Sequence, residues 1–276
     1  MTEPKPAYLP VLLTFARNSL VREMSFRFNF IAHVVTSLIW TSLQLLLYLL
    51  VFNFASEIGK GSGWTQYPYY AFLGTVWIIN AMMQSTVMPS VREFSELIRT
   101  GNLDFVLLKP IDTQFLVSLQ RMDWGALSNL FFGLALVVYS LIKMDYMPTY
   151  MQMLMYPVFL LCGLSIFYSL LLALATTSVW MGRNQSMDDF WFYIATFSRH
   201  PLEIYTGPLG LPLRYVFTFL VPILLVINIP ARLMARPFEQ ADLPLIGYTV
   251  LAALVSLGVS RLVFNFALKG YRSASS

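Results

Sequence analysis

Charged residues are sparse along this chain, and the gaps between them are long and apolar. Read as hydropathy, the gaps predict six membrane-spanning helices at about 28–56, 67–90, 122–143, 150–181, 213–233 and 243–264. The criterion is that about 20 mostly apolar residues, rising about 1.5 Å each, cross about 30 Å of hydrocarbon. The fifth span is the shortest and relies on Arg214 and Arg232 reaching the two interfaces with their long side chains. A further run, FWFYIATFS from Phe190 to Ser198, is too short to cross and reads as an interfacial or re-entrant piece. The stretch from Ala7 to Arg27 reads as an interfacial helix, with Arg17 beside Leu13 interrupting its apolar face. Arg17, Arg22 and Glu23 also deny it the apolar core of a cleavable leader, so it is expected to be retained. With no long-period repeat and no linker, residues 1–276 form one domain.

Between spans two and three the pattern changes. On a helix turning about 100° per residue, Val91, Phe94, Leu97 and Ile98 share one side, while Arg92, Glu93, Glu96, Arg99 and Thr100 take the other. Gly101 and Asn102 supply a left-handed stop, and Pro110 limits the next helical run. A short amphipathic helix over about 90–100 is predicted. Spacing alone leaves two readings open: a surface helix that turns the chain, or a docking element for a soluble partner.

Composition supports the membrane reading. Of 276 residues, 57% are hydrophobic and 12% charged, against roughly a quarter charged in soluble domains. The net charge is +4, but the basic residues are scattered rather than gathered in a stripe, so no nucleic acid partner is expected. Their placement reports orientation instead. Of 18 Lys and Arg, only Lys60, Lys143, Arg232 and Arg236 fall on one side of the six spans. The excess on the other side puts both termini and the loop from Arg92 to Lys109 in the cytoplasm. The single Cys162 forms no internal disulfide, and no Cys/His cluster has metal-ligand spacing, so no metal is expected.

Polar stripes run along the spans. His33, Ser37, Thr41, Gln44 and Tyr48 lie on one face of the first, and Tyr70, Trp77, Asn80, Gln84 and Met88 on one face of the second. Polar groups in hydrocarbon need partners, so these faces point at protein or at a cavity: helix packing, or the wall of a substrate pathway. Pro222 bends the fifth span and, with Asn228, joins the candidate pathway residues. Gly125, Asn129 and Gly133, and Ser165, Ser169, Ala173 and Thr176, form small-residue stripes suited to close helix contact. Arg261 ends its span and is expected to snorkel. His33 and His200 have no catalytic partner at motif spacing.

Three stretches carry a family resemblance: LIRTGNLDFVLLKPI, FSRHPLEIYTGPLGLPLRYVFTFLVPILLVINIPARLM and the tail KGYRSASS. Gly101, Leu103, Asp104, Leu107, Lys109 and Pro110 match a Gly-x-Leu-Asp-x-x-Leu-x-Lys/Arg-Pro run. In these the chain resembles the membrane-spanning permease subunits of ABC-2 type transporters, in a bacterial branch of similar length. The resemblance implies an all-α integral membrane protein of six transmembrane helices, in the ABC-2 (type V exporter-like) architecture, with cytoplasmic termini in a bacterial inner membrane. It implies a second permease, identical or paralogous, and two separate ATPase subunits beneath. It also implies that the amphipathic segment is a coupling helix, with Val91, Arg92, Glu93, Phe94, Glu96, Leu97, Arg99, Gly101 and Asp104 at the ATPase. This chain would bind no cofactor, ATP and Mg belonging to the partner. Consistent with that, no G-x-x-x-x-G-K-[ST] loop is present; GKGSG from Gly59 to Gly63 has the wrong order. Such a subunit exports a bulky or amphipathic cargo. A membrane-embedded enzyme acting on lipids or glycans, and an ATPase-independent channel or scaffold, are the alternatives; the spans offer no Asp, Glu or Lys for the first.

Overall fold

The computed structural model describes residues 7–59, 61–144, 146–181, 192–193 and 195–271. Among the described residues every regular element is helical. Helix α1 runs Tyr8–Ser25, α2 Arg27–Phe54 and α3 Gln66–Arg99. Two short helices come next, α4 Leu103–Leu107 and α5 Thr113–Leu119. Then come α6 Gly125–Lys143, α7 Tyr150–Trp180, α8 Gly207–Leu220, α9 Leu225–Ala235 and α10 Leu243–Gly270. Five of these, α2, α3, α6, α7 and α10, are long and apolar enough to cross a membrane, while α8 and α9 form a pair bent by 96°. The tail beyond Tyr271 and the NQS at Asn184 lie outside the described residues.

Helix α3 carries both the second span and the amphipathic segment. Its 34 residues extend about 51 Å, well beyond about 30 Å of hydrocarbon. The predicted separate helix over 90–100 is therefore the projecting end of a continuous one. The continuity has a local irregularity, a π-helical stretch at Met83–Val87. Pro89 has no N–H to donate to the Ser85 carbonyl, which accepts from Asp123 N at 2.8 Å instead.

Close glycine contacts hold the bundle. A Cβ on Gly74 of α3 would lie 2.8 Å from the Gly133 carbonyl of α6, and one on Gly133 would lie 2.7 Å from the Gly74 carbonyl. Without side chains the two backbones meet directly, as the small-residue stripe on the third span predicted for Gly133. Gly163 of α7 does the same for α9, where an added Cβ would meet the Val226 carbonyl at 2.5 Å.

The predicted fifth span is corrected. Trp180 packs at the Gly101 end of the bundle, its indole against Gly270 and Phe266. Glu203 is at the other end, beside Trp64. Trp180 and Glu203 thus lie at opposite ends, so the change of ends does not fall across 213–233. From Glu203 the chain goes in and comes back: the Arg236 guanidinium lies 3.6 Å from the Glu203 carboxylate. The pair α8 and α9 is re-entrant, entering and leaving by the Trp64 end. The charge-gap reading failed here for a physical reason. Residues 225–235 are uncharged up to Arg232 because protein surrounds them, with Leu225 to Asn228 fully buried, while charged residues, Arg199 among them, interrupt the sequence between Trp180 and Glu203. The described part of the FWFYIATFS run therefore belongs to that crossing stretch.

Helix α1 packs against the approach to α6. Met122 N donates to Ser19 Oγ at 3.1 Å and Trp124 Nε1 to the Ala16 carbonyl at 3.1 Å. The Glu23 carboxylate accepts from Trp124 N at 2.9 Å and from Gly125 N at 3.2 Å. Tyr8 meets Phe115 of α5 edge-on at 5.0 Å. By contrast α2 has no buried residue, so most of its apolar surface faces outward.

Candidate functional site

The Gly101 end forms a projecting tip. Val91 and Phe94 are fully buried, and the Phe94 ring packs 5.6 Å from Phe264 of α10. The apolar face of the amphipathic segment thus anchors it within this chain, so Val91 and Phe94 do not present a docking surface. Glu93 also turns inward, pairing with Arg121 ahead of α6. Exposed on the opposite side are Arg92, Glu96 and Arg99, with Arg99 Nε donating to Glu96 Oε2 at 2.8 Å; Leu97 is half-buried.

Gly101 then takes a φ of 72°, in the region that favours glycine, and reverses the chain into α4. Leu103 and Val106 are buried beneath it, while Phe105 is 69% and Leu108 80% exposed. These two residues were not singled out from sequence. Their signal was an apolar run hemmed between Gly101 and Pro110, too short to bury more than one side of a single helical turn. The return is fixed by Asp112, which caps α5 through Phe115 N at 2.9 Å and accepts from Arg261 Nη1 of α10 at 3.0 Å. Arg261 Nη1 also reaches Gln114 Oε1 at 2.9 Å, so Arg261 is ion-paired rather than merely snorkelling. The Arg261 guanidinium, and then Phe115 N, hold the Asp112 carboxyl below its ordinary range, against the effect of burial. Asp104 lies beside Tyr271, whose hydroxyl is pushed up first by burial and then by that carboxylate. Both described chain ends, α1 and Tyr271, therefore lie at the same end as the tip.

The polar stripes divide. Trp77 Nε1 donates to Gln44 Oε1 at 2.8 Å, and the Tyr48 ring lies tilted 4.7 Å from that of Tyr69. Gln44, Tyr48 and Trp77 thus join α2 to α3 as packing partners. Asn80 and Gln84 instead line a cavity with His33. Asn228 faces no pathway: it accepts from Leu202 N at 2.8 Å and donates to the His200 and Leu224 carbonyls at 3.2 and 2.8 Å. It ties α9 to the chain just before Glu203. Pro222 is buried at the α8–α9 break, where Leu224 N donates to the Phe217 carbonyl at 3.0 Å.

The Trp64 end is closed by a charged cluster. Trp64 is fully buried, with the Arg236 guanidinium 4.3 Å above its ring. Arg236 Nη2 donates to the Ser62 carbonyl at 2.6 Å, and Arg232 Nη2 pairs with Asp242 Oδ1 at 3.1 Å. Gln152 Nε2 donates to the Leu233 and Arg236 carbonyls, each at 3.0 Å, closing the end of α9. The preceding loop is shaped by Gly59, Gly61 and Gly63, all at positive φ. Its Glu57 carboxylate accepts from Gly61 N and Gly63 N, which lowers its pKa.

Among the described residues, five helices long and apolar enough to span, a re-entrant pair whose second helix α9 is buried, and a cavity lined by polar and apolar side chains define a multi-pass helical membrane protein. Residues 38–275 match the ABC-2 family transporter proteins, and the chain belongs to that family. No curated protein and no solved structure matches it. Membership makes the chain a permease component of the ABC transporter class, and a transport subunit in kind rather than an enzyme.

Proposed function

We propose that the chain is the permease subunit of an ATP-driven exporter in a bacterial inner membrane, with its Gly101 end and both termini in the cytoplasm. A second permease, identical or paralogous, stands beside it. Two separate ABC ATPase subunits bind ATP and Mg beneath, and this chain holds no cofactor. The observation that carries the reading is the tip. Phe105 and Leu108 are exposed on a short helix anchored from below by Leu103 and Val106, and flanked by Glu96 and Arg99. An apolar knob with a charged rim fits a groove in a soluble motor. ATP-driven closure of the motors would move the tip, and α3 with it, biasing the bundle between two access states. The outward direction rests on the cavity, which extends to Arg92 near the tip, whereas packed side chains seal the Trp64 end.

The test is co-purification of the full-length permease with its ABC ATPase. Phe105→Ser and Leu108→Ser are expected to weaken association roughly tenfold or more, since each removes one buried apolar anchor. Their thermal midpoints should match the parent, because neither side chain is buried in this chain. Undiminished association in both variants would overturn the reading.

A further inference from the structure

We infer that the cavity beside α3 binds an amphipathic anion. Its volume is about 730 Å³, the size of a drug-sized ligand site. It runs along α3 from Asn80 to Arg92, about 18 Å of helix. The two ends and the wall differ in chemistry. Arg22, Arg92 and Arg121 line it near the Gly101 end, the mouth, and Arg199, on the stretch of chain leading to Glu203, lines the other, deep end. Phe26, Phe30, Met83, Met88, Phe167 and Phe192 supply apolar wall between them.

The Arg199 charge is not met within the cavity. Of the lining carboxylates, Glu23 is held by the Trp124 and Gly125 amides. Asp123 accepts from Ala126 N at 3.0 Å and lies 3.5 Å from His33 Nδ1. Arg121 is neutralised by Glu93. At the deep end no carboxylate among the described residues pairs with Arg199; its guanidinium lies 5.8 Å over the Phe192 ring, and its Nε is buried without a hydrogen-bond partner. An arginine always carries its charge, and a buried cation donor left unmet is costly. A phosphate, sulfate or carboxylate head would satisfy it, while an attached apolar body packs on the aromatic wall. The role of such an anion as cargo rests on the transport reading. Its binding does not.

The experiment uses the full-length chain in a neutral detergent, without ATPase. The probe is a hexyl phosphate carrying a fluorescent group, with the matching hexyl alcohol as control. The phosphate is expected to bind saturably and at least tenfold tighter than the alcohol, as a charge-assisted hydrogen bond to arginine would give. Arg199→Gln should abolish most of that preference. Gln84→Glu, at an exposed position on the wall, should do so by repulsion with an unchanged thermal midpoint, which separates lost binding from lost folding. Equal affinity for phosphate and alcohol, or an undiminished preference in a folded Gln84→Glu protein, would overturn the site. So would displacement of the probe by inorganic phosphate at equal concentration, since the head alone would then suffice. ATPase association is measured separately, so a failed tip and a failed cavity give different results.

Discussion

Trp64 Nε1 donates to Glu203 Oε2 at 2.8 Å, across 139 positions of sequence. The bond joins the loop between α2 and α3 to the chain entering the re-entrant pair. Glu203 also lies 3.6 Å from Arg236 and 3.9 Å from Arg232. Glu203→Gln is expected to lower stability by about 2 kcal/mol, because two partly buried guanidinium groups lose their shared counter-charge. Trp64→Phe keeps much of the ring under Arg236 and loses the donor, so a smaller loss is expected. Thermal unfolding in detergent orders the two.

The same bond sets a topology prediction. In a Cys162→Ser background, cysteines at Ser56 and Thr206, both exposed, should react with a membrane-impermeant maleimide from one side. A cysteine at Arg99 should react only from the other. Labelling of Thr206→Cys together with Arg99→Cys would refute the crossing between 180 and 203.

At the α3–α6 contact, Gly74→Ala places a methyl group 2.8 Å from the Gly133 carbonyl. The Gly133 carbonyl and Val137 N are backbone and the third neighbour is the stiff Val137 side chain, so the helices must move apart, and a loss of about 1–3 kcal/mol is expected. Gly247→Ala, where an added Cβ meets nothing within 4 Å, is the matched control and should leave the unfolding midpoint unchanged.

Asp112 gives a pH signature. Its folded pKa is depressed, chiefly by Arg261, so its contribution to stability is present above the unfolded value of about 3.9 and lost as pH falls through the folded one. The difference in thermal midpoint between the parent and Asp112→Asn should therefore be constant near neutrality and shrink below about pH 4. A difference that persists unchanged into acid would show that the carboxylate charge is not what matters.

Asn228→Ala strands Leu202 N and two carbonyl acceptors in a buried position. A loss of about 2–4 kcal/mol is expected by unfolding assay.

Much of the helical plan was legible in the sequence. Spans around α2, α3, α6, α7 and α10 emerged from charge-free length, and Gly133 stood out as a packing residue. What misled the reading was burial of two kinds. Leu225 to Ile227 are apolar because protein encloses them, yet a hydropathy window reads them as lipid-facing; Arg199 is charged inside the bundle, yet the same window reads it as a boundary. The amphipathic segment posed a related difficulty. Periodicity separated Val91 and Phe94 from Glu96 and Arg99, but only the Phe94–Phe264 contact shows that the apolar side is turned inward. Phe105 and Leu108 had no periodic signature at all. The Trp64–Glu203 and Asp112–Arg261 links span too much sequence for any local pattern to reveal them.

The π turn at Met83–Val87 makes α3 a shaft with a coupling built into it. It holds one residue more than an α turn, so restoring regular winding there would twist everything beyond it by about 100°. Such a slip would carry Arg92 around the shaft while Trp77 stayed docked on Gln44, so that torque applied at the tip would reshape the cavity mouth and leave the far seal in place.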